Sequence, residues 1–316
     1  ANDLKLATCD DVACSAATVE TLDADVGDPQ GSLDVAVRST DLPFIAYYDE
    51  VVTDLHAFDC TNPSCSSANF RSLDNVGNTG RSMSLAVRPG DLPIISYSPT
   101  STANIVVYDC NTTGCSSGDR RTINSSVNQQ PSPTAIATST TGLPVVFYAG
   151  SAASEGLNAY VCGNSDCSAG ANFDLDDGNV LSVATALNSS NVPSVTYRVE
   201  TGAAQRVKLL ACVGGIALCQ SGTITSVEFD TPTTSVDMAM AADDTPLLTY
   251  LLDDRLAVQD CASSDCVTRT LRTPDAIAGR GGNPSMVIRS DGRPVIAYED
   301  NGRVRITICG DVGCAP

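Results

Sequence analysis

Six prolines, at positions 43, 93, 144, 193, 246 and 294, recur at intervals of about fifty residues. Each is followed four residues later by a tyrosine: Tyr47, Tyr97, Tyr148, Tyr197, Tyr250 and Tyr298. Fourteen cysteines keep the same beat. They fall in seven consecutive pairs, and the first members are separated by 51, 50, 52, 50, 49 and 48 residues. A fixed period of this length is the mark of a repeat architecture, so the unit must be read before the whole.

Each unit carries β signals and no 3.6-residue apolar pattern. SLDVAV (32–37), SLAV (84–87) and SMVI (285–288) alternate with period two, and tight-turn segments such as RSTD, RPGD and RSDG follow. PFIAY, PIISY, PVVFY and PVIAY are near-continuous apolar runs, suited to a strand covered on both faces. Proline at the strand's first residue does little harm to the ladder. A third strand runs into the cysteine (LHAFDC, IVVYDC, VKLLAC, VRITIC), and a weaker fourth such as NFRSLD or RRTIN closes the unit. Four antiparallel strands repeated radially describe a β-propeller blade. The expected fold is therefore all-β, a single propeller over residues 1–316 with six four-stranded blades. Its repeats run approximately over 25–75, 76–125, 126–178, 179–230, 231–276 and 277–316, with 1–24 a half-repeat that closes the ring.

The cysteine pairs are Cys9/Cys14, Cys60/Cys65, Cys110/Cys115, Cys162/Cys167, Cys212/Cys219, Cys261/Cys266 and Cys309/Cys314. Even, regular pairing reads as a disulfide framework in an oxidising compartment. Zinc is the weaker alternative, because the pairs lie some fifty residues apart and the chain has one histidine. Each cystine would bridge the end of the third strand to the start of the fourth, and so staple the outer edge of its blade, where packing is poorest.

The unit GDLPIISY…NIVVYDCNTTGCSS, with DVG or NVG between units (Asp25–Gly27, Asn75–Gly77), resembles a repeat common in large secreted bacterial proteins. The resemblance covers essentially the whole chain, and it implies a propeller-like exported or surface protein with no assigned catalytic residues. The unit with VPSVTY and the longer Cys212–Cys219 loop departs most from the pattern.

Charge narrows the partners. With 18 basic and 37 acidic residues the formal charge is −19, which disfavours nucleic acid and anionic membrane surfaces. No stretch approaches the apolar length of a transmembrane helix, and ANDLKLATCDD lacks the form of a signal peptide. A start at Ala1 is compatible with a mature, secreted or cell-surface chain.

The strand count is uneven: seven third-strand-plus-cystine units accompany six first-and-second strand pairs. Residues near 16–22 are expected to complete the last blade, which leaves a surplus strand, either Leu4, Lys5, Leu6, Ala7 and Thr8 or Val304–Ile308, with the first taken as the assembly strand. Such a strand can add to a neighbouring copy's sheet and build a head-to-tail fibre, or lie along its own last blade. The sequence reading is a non-catalytic structural or adhesive protein that partners copies of itself. The alternatives are a glycan-binding propeller and an extracellular hydrolase with acidic residues in the central channel.

No enzyme chemistry stands out, and no catalytic residue is assigned. His56 aligns with Lys5, Asn158, Lys208 and Arg305 and reads as an outward-facing, solvated position. Calcium is the cofactor considered. DLDDGN offers Asp174, Asp176 and Asp177, and DADVGD offers Asp23, Asp25 and Asp28, although Asp and Gly are also ordinary turn residues. Tyr48, Tyr108 and Tyr160 lie outside the repeat's core position and are candidates to stack on a sugar. Asn111, Asn124 and Asn188 head sequons and are candidate glycosylation sites.

Overall fold

A computed structural model describes residues 2–27, 32–125, 127, 131–150, 156–201, 204–214, 219, 222–228, 235–275, 277 and 279–315. Its elements are β-strands throughout, and they form a six-bladed β-propeller preceded by a strand pair. The pair is β1 (Leu4–Cys9) and β2 (Ala17–Asp23). Blade 1 holds β3 (Leu33–Val37), β4 (Pro43–Asp49), β5 (Asp54–Cys60) and β6 (Ala68–Asp74). Blade 2 holds β7 (Ser84–Arg88), β8 (Leu92–Tyr97), β9 (Ile105–Cys110) and β10 (Gly118–Asn124). Blade 3 holds β11 (Thr134–Thr138), β12 (Pro144–Ala149), β13 (Gly156–Cys162) and β14 (Gly170–Asp177). In blade 4 are β15 (Asn179–Leu187), β16 (Pro193–Thr201), β17 (Ala204–Ala211) and β18 (Thr223–Glu228). Blade 5 has β19 (Asp237–Met240), β20 (Pro246–Leu252), β21 (Arg255–Cys261) and β22 (Arg269–Asp275). Blade 6 has β23 (Arg280–Ile288), β24 (Pro294–Asp300) and β25 (Arg303–Ile308).

Within each blade the strands pair in chain order, so every sheet is a meander. By compactness the chain divides into Ala1–Ala152 with Tyr160–Asn172, and Ala153–Ala159 with Phe173–Pro316.

The repeat maps onto this plan as its chemistry requires. Five of the six second strands begin at the repeat's proline. The apolar run of β4 is buried along its whole length, whereas β6 is largely exposed. All six repeat tyrosines are buried. The terminal pair is not a loose end. β2 pairs with β1 along its length, and Leu4 packs with Val26, Ile45 and Tyr47 against blade 1. Leu4 to Thr8, expected to be surplus, thus form a ladder with residues 17–23.

All seven cystines form between consecutive cysteines: Cys9–Cys14, Cys60–Cys65, Cys110–Cys115, Cys162–Cys167, Cys212–Cys219, Cys261–Cys266 and Cys309–Cys314. Two details of the expected staple are corrected. First, the second cysteine does not begin the fourth strand. Cys14, Cys65, Cys115, Cys167 and Cys266 each stand in the turn three residues ahead of it, and no strand of blade 6 follows Cys314. These six residues have positive φ, between 49° and 57°, and each donates its N–H to the carbonyl three residues back. That conformation is costly for a non-glycine residue and does not fit a β-ladder, and the covalent bond holds it in place.

Second, the cystines are not at a poorly packed edge. Cys65, Cys115, Cys167, Cys266 and Cys314 are buried with their partners, and only Cys9 and Cys14 of the terminal pair reach solvent. The reason is that the turn folds the sulfurs back onto apolar side chains. Cys60 and Cys65 join Ile45 and Tyr47, Cys110 and Cys115 join Phe44 and Ala57 of blade 1, and Cys162 and Cys167 join Ile94 and Val107 of blade 2. Cys261 and Cys266 pack with Val207 and Leu209 of blade 4, and Cys309 and Cys314 with Leu247 and Val258 of blade 5. The cystine is thus a core element between neighbouring sheets.

Neighbouring inner strands are tied by side-chain to backbone bonds at one repeat position. Asp34 accepts the Leu85 N–H at 2.8 Å, Ser84 accepts that of Ile136 at 3.3 Å, and Asp237 accepts that of Met286 at 2.7 Å. Burial pushes the Asp34 carboxyl up to about 6, against the pull of its two backbone N–H donors, Leu85 and Val35. A raised carboxyl favours the fold fully below the ordinary carboxylate value, and that benefit is lost as pH rises through about 6. Asp34→Ser, which copies Ser84, is expected to keep the bond and flatten the stability profile between about pH 4 and 6. Thermal melts of both proteins across that window check it.

Candidate functional site

The buried tyrosines do more than fill the core. Tyr47 donates its hydroxyl to Asp23, Tyr97 to Asp74, Tyr148 to Asn172 at 2.5 Å, Tyr197 to Asp176 at 2.5 Å, and Tyr298 to Asp275 at 2.8 Å. Asp23, Asp74, Asp176 and Asp275 each lie at or next to the end of the outer strand of the preceding sheet. The pair is therefore a latch between neighbouring sheets. Tyr250 donates to Gln259 of its own blade, at 3.1 Å.

Where the latch is acidic, a basic side chain offsets it. Arg120 Nε donates to Asp74 at 2.8 Å, and Lys208 Nζ to Asp176 at 2.5 Å. In blade 6 the Arg305 guanidinium donates to Asp300, two residues beyond Tyr298. Blade 3 uses amides in place of ions, with Asn124 donating to Tyr148 at 2.8 Å.

Blade 1 repeats the blade 6 arrangement with one change. Asp49 stands two residues beyond Tyr47 as Asp300 does beyond Tyr298, and His56 faces Tyr47 in register as Arg305 faces Tyr298. A permanent cation has been replaced by an imidazole. His56 is 7% exposed, which corrects its expected place on the surface. It points into the seam with β2, and its ring packs edge-on against Tyr47 at 5.7 Å and Phe70 at 4.8 Å. Burial holds its pKa below the usual value, although Asp49, Asp54 and Asp23 pull the other way.

Carboxylates surround this ring. Asp49 Oδ2 lies 3.7 Å from Nδ1, and Asp54 Oδ2 lies 4.0 Å from Nε2. Asp49 Oδ1 accepts the N–H groups of Val51 and Val52 at 2.9 and 3.3 Å, so the β4–β5 turn fixes that side chain. Burial raises the Asp54 carboxyl above its ordinary value, helped by the charges of Asp49 and Asp74 and opposed by His56. Glu50, next in the chain after Asp49, is half-buried, its N–H bonded to the Val26 carbonyl at 3.0 Å and its carboxylate 3.7 Å from Arg81. Arg81 in turn lies over the Tyr48 ring at 4.7 Å. Asp23, Asp49 and Asp54 thus meet at His56, while Glu50 and Tyr48 meet at Arg81.

The other positions singled out in the sequence are placed differently. Asp174, Asp176 and Asp177 lie on β14 and not in a loop, with Asp176 taken up by Tyr197 and Lys208. Asp25 is exposed with φ of 61°, and Asp28 lies outside the described residues. Tyr48 and Tyr160 are buried, Tyr108 is half-buried, and none of the three offers an open face for stacking. Asn111 is exposed at the start of a cystine loop, Asn124 is engaged by the Tyr148 latch, and Asn188 accepts the Ser190 and Val192 N–H groups in its turn. The exposed side chains of β3 are Leu33, Val35 and Val37, while Asp34 is turned to β7.

No known family profile matches the chain, and no curated protein matches it. Solved structures do resemble it. The GH93 α-L-arabinofuranosidase of Fusarium graminearum in complex with arabinobiose superposes with a TM-score of 0.61 at 10% identity, covering 90% of this chain and 94% of that one. A mutant of AofleA from Arthrobotrys oligospora gives 0.57 at 11%, covering 90% of both chains. A Hadza microbial sialidase gives 0.54 at 12%, covering 93% of this chain and 69% of that one. At such identity the likeness establishes the propeller fold. It also corrects the expectation of a non-catalytic, fibre-forming protein: the propellers that match over most of the chain include glycoside hydrolases, so the fold gives no ground for setting enzyme activity aside.

Proposed function

We propose that the protein is an extracellular glycoside hydrolase of the propeller type, with its reacting carboxylates at the β4–β5 end of blade 1. The observation that carries this reading is the meeting of Asp49 and Asp54 around the chain's one histidine, with Glu50 on the same β4–β5 turn. The hydrolases among the neighbours supply the reaction class, and seven cystines support an oxidising, extracellular setting.

Glycoside hydrolysis needs one carboxyl that keeps its proton for the leaving group and one that stays ionised as base or nucleophile. Asp54 suits the first role, since burial and neighbouring negative charge raise its pKa. Glu50, facing the Arg81 guanidinium, suits the second.

Arabinan, aryl arabinofuranosides and sialylated glycans are the substrates to offer first. With the substrate that is cleaved, Asp54→Asn and Glu50→Gln are each expected to lower kcat by about 100-fold or more at unchanged melting temperature. Failure of the parent protein to cleave any glycoside, or full activity in both variants, would overturn the assignment.

A further inference from the structure

We propose that Asp23, Asp49 and His56 form a binding site for a divalent transition-metal ion of the zinc class. One oxygen from each carboxylate and one imidazole nitrogen lie within 4.8 Å of one another, the one such trio among the described residues. Acidic groups alone would not carry this, and two further observations do.

The first is His56 Nδ1. It is buried, has no hydrogen-bond partner, and faces Asp49 Oδ2 at 3.7 Å from a side chain that is 9% exposed. An unpaired buried polar atom is costly, and a metal ion would satisfy it. Ligand atoms on a tetrahedral ion with bonds of about 2.0–2.2 Å stand roughly 3.4 Å apart, so the Nδ1–Asp49 gap closes with a shift of a few tenths of an ångström, and the widest gap in the trio, within 4.8 Å, with up to about 1.4 Å.

The second is the comparison with blade 6. The same tyrosine and the same two carboxylate positions, Asp275 and Asp300, are accompanied there by Arg305. In blade 1 no guanidinium or ammonium takes that place, and an imidazole offers a lone pair instead. A divalent cation would restore the charge balance that Arg305 provides.

The surroundings suit a metal. The Tyr47 hydroxyl holds Asp23, and two backbone N–H groups hold Asp49 Oδ1, leaving Oδ2 for the ion. Nitrogen with two carboxylate oxygens favours zinc-class ions, whereas Ca²⁺ asks for six to eight oxygens. Three protein ligands leave a fourth position for water or an added ligand. The inference goes beyond glycoside hydrolysis, and although it shares Asp49 with that reading, Zn²⁺ binding is measured with no glycan present.

The test is calorimetric titration of Zn²⁺ into tag-free, chelator-treated protein, with Co²⁺ absorption as a second readout of ligand geometry. One equivalent should bind with a Kd of about 1 μM or tighter and raise the melting temperature. His56→Arg, which copies blade 6, should fold, weaken Zn²⁺ binding at least 100-fold, and melt independently of Zn²⁺. Absence of saturable binding in the parent protein would overturn the site. So would an His56→Arg variant that binds Zn²⁺ as the parent does, or a parent that prefers Ca²⁺ to Zn²⁺.

Discussion

Full reduction and alkylation of the cystines is expected to abolish the folded state at 37 °C. Each closes a loop of only a few residues, which in the chain-entropy view contributes about 2 kcal/mol. Seven together contribute on the order of 15 kcal/mol, as much as the whole net stability of many domains. The loops also serve as docking points between blades. Arg38 of blade 1 donates to the Thr113 carbonyl in the blade 2 loop at 3.1 Å, and Arg88 of blade 2 to the Ser165 carbonyl in the blade 3 loop at 2.8 Å. Loosening one loop therefore loosens two blades. Near-UV circular dichroism should collapse after reduction. Cys9→Ser with Cys14→Ser, confined to the solvent-facing terminal pair, should cost only about 2 kcal/mol. A reduced, alkylated protein with native dichroism and an unchanged urea midpoint would show that the strands need no staples.

The second large effect is expected at Asp74. Its side chain is 2% exposed and binds both the Tyr97 hydroxyl and Arg120 Nε. Asp74→Ala removes the buried acceptor shared by the Tyr97 phenol and Arg120, which keep only their bond to each other, a loss of about 2–3 kcal/mol. Blade 3 provides the control, since its Asn124–Tyr148–Asn172 latch carries no net charge. Asp74→Asn combined with Arg120→Asn should therefore recover much of the loss. Urea denaturation of the three proteins measures this. Equal stability of Asp74→Ala and parent would mean that the latch is ornamental.

Much of this architecture is legible in the sequence because the repeat says it six times. Proline marks where the second strand begins, tyrosine marks its buried face, and paired cysteines mark the third-to-fourth strand turn. Spacing alone does not reveal that Cys65, Cys115, Cys167, Cys266 and Cys314 turn inward, because that depends on their left-handed backbone and on apolar partners, several from the preceding blade. The latch is less visible, because its two halves come from neighbouring repeats. A trace exists all the same: Asp23, Asp74, Asn124, Asp176 and Asp275 stand 21 to 24 residues before their tyrosines. His56 was misplaced for a related reason. Alignment with Lys208 and Arg305 suggests a solvated strand face, yet Lys208 is itself turned toward the latch carboxylate Asp176, and Arg305 toward Asp300. Glu50 and Asp54 carry no repeat signal, since their significance comes from the β4–β5 turn, which sets Asp54 beside His56 and Glu50 beside Arg81. The acidic total of the chain hides them among 37 carboxylates.

Amide hydrogen exchange during turnover of a cleaved glycan tests the central claim most directly. The account predicts slowed exchange across residues 48–56, which carry Glu50 and Asp54, and at Arg81, which meets Glu50 and Tyr48. Unchanged exchange there while the glycan is being hydrolysed would contradict it, and would move the reacting carboxylates away from blade 1.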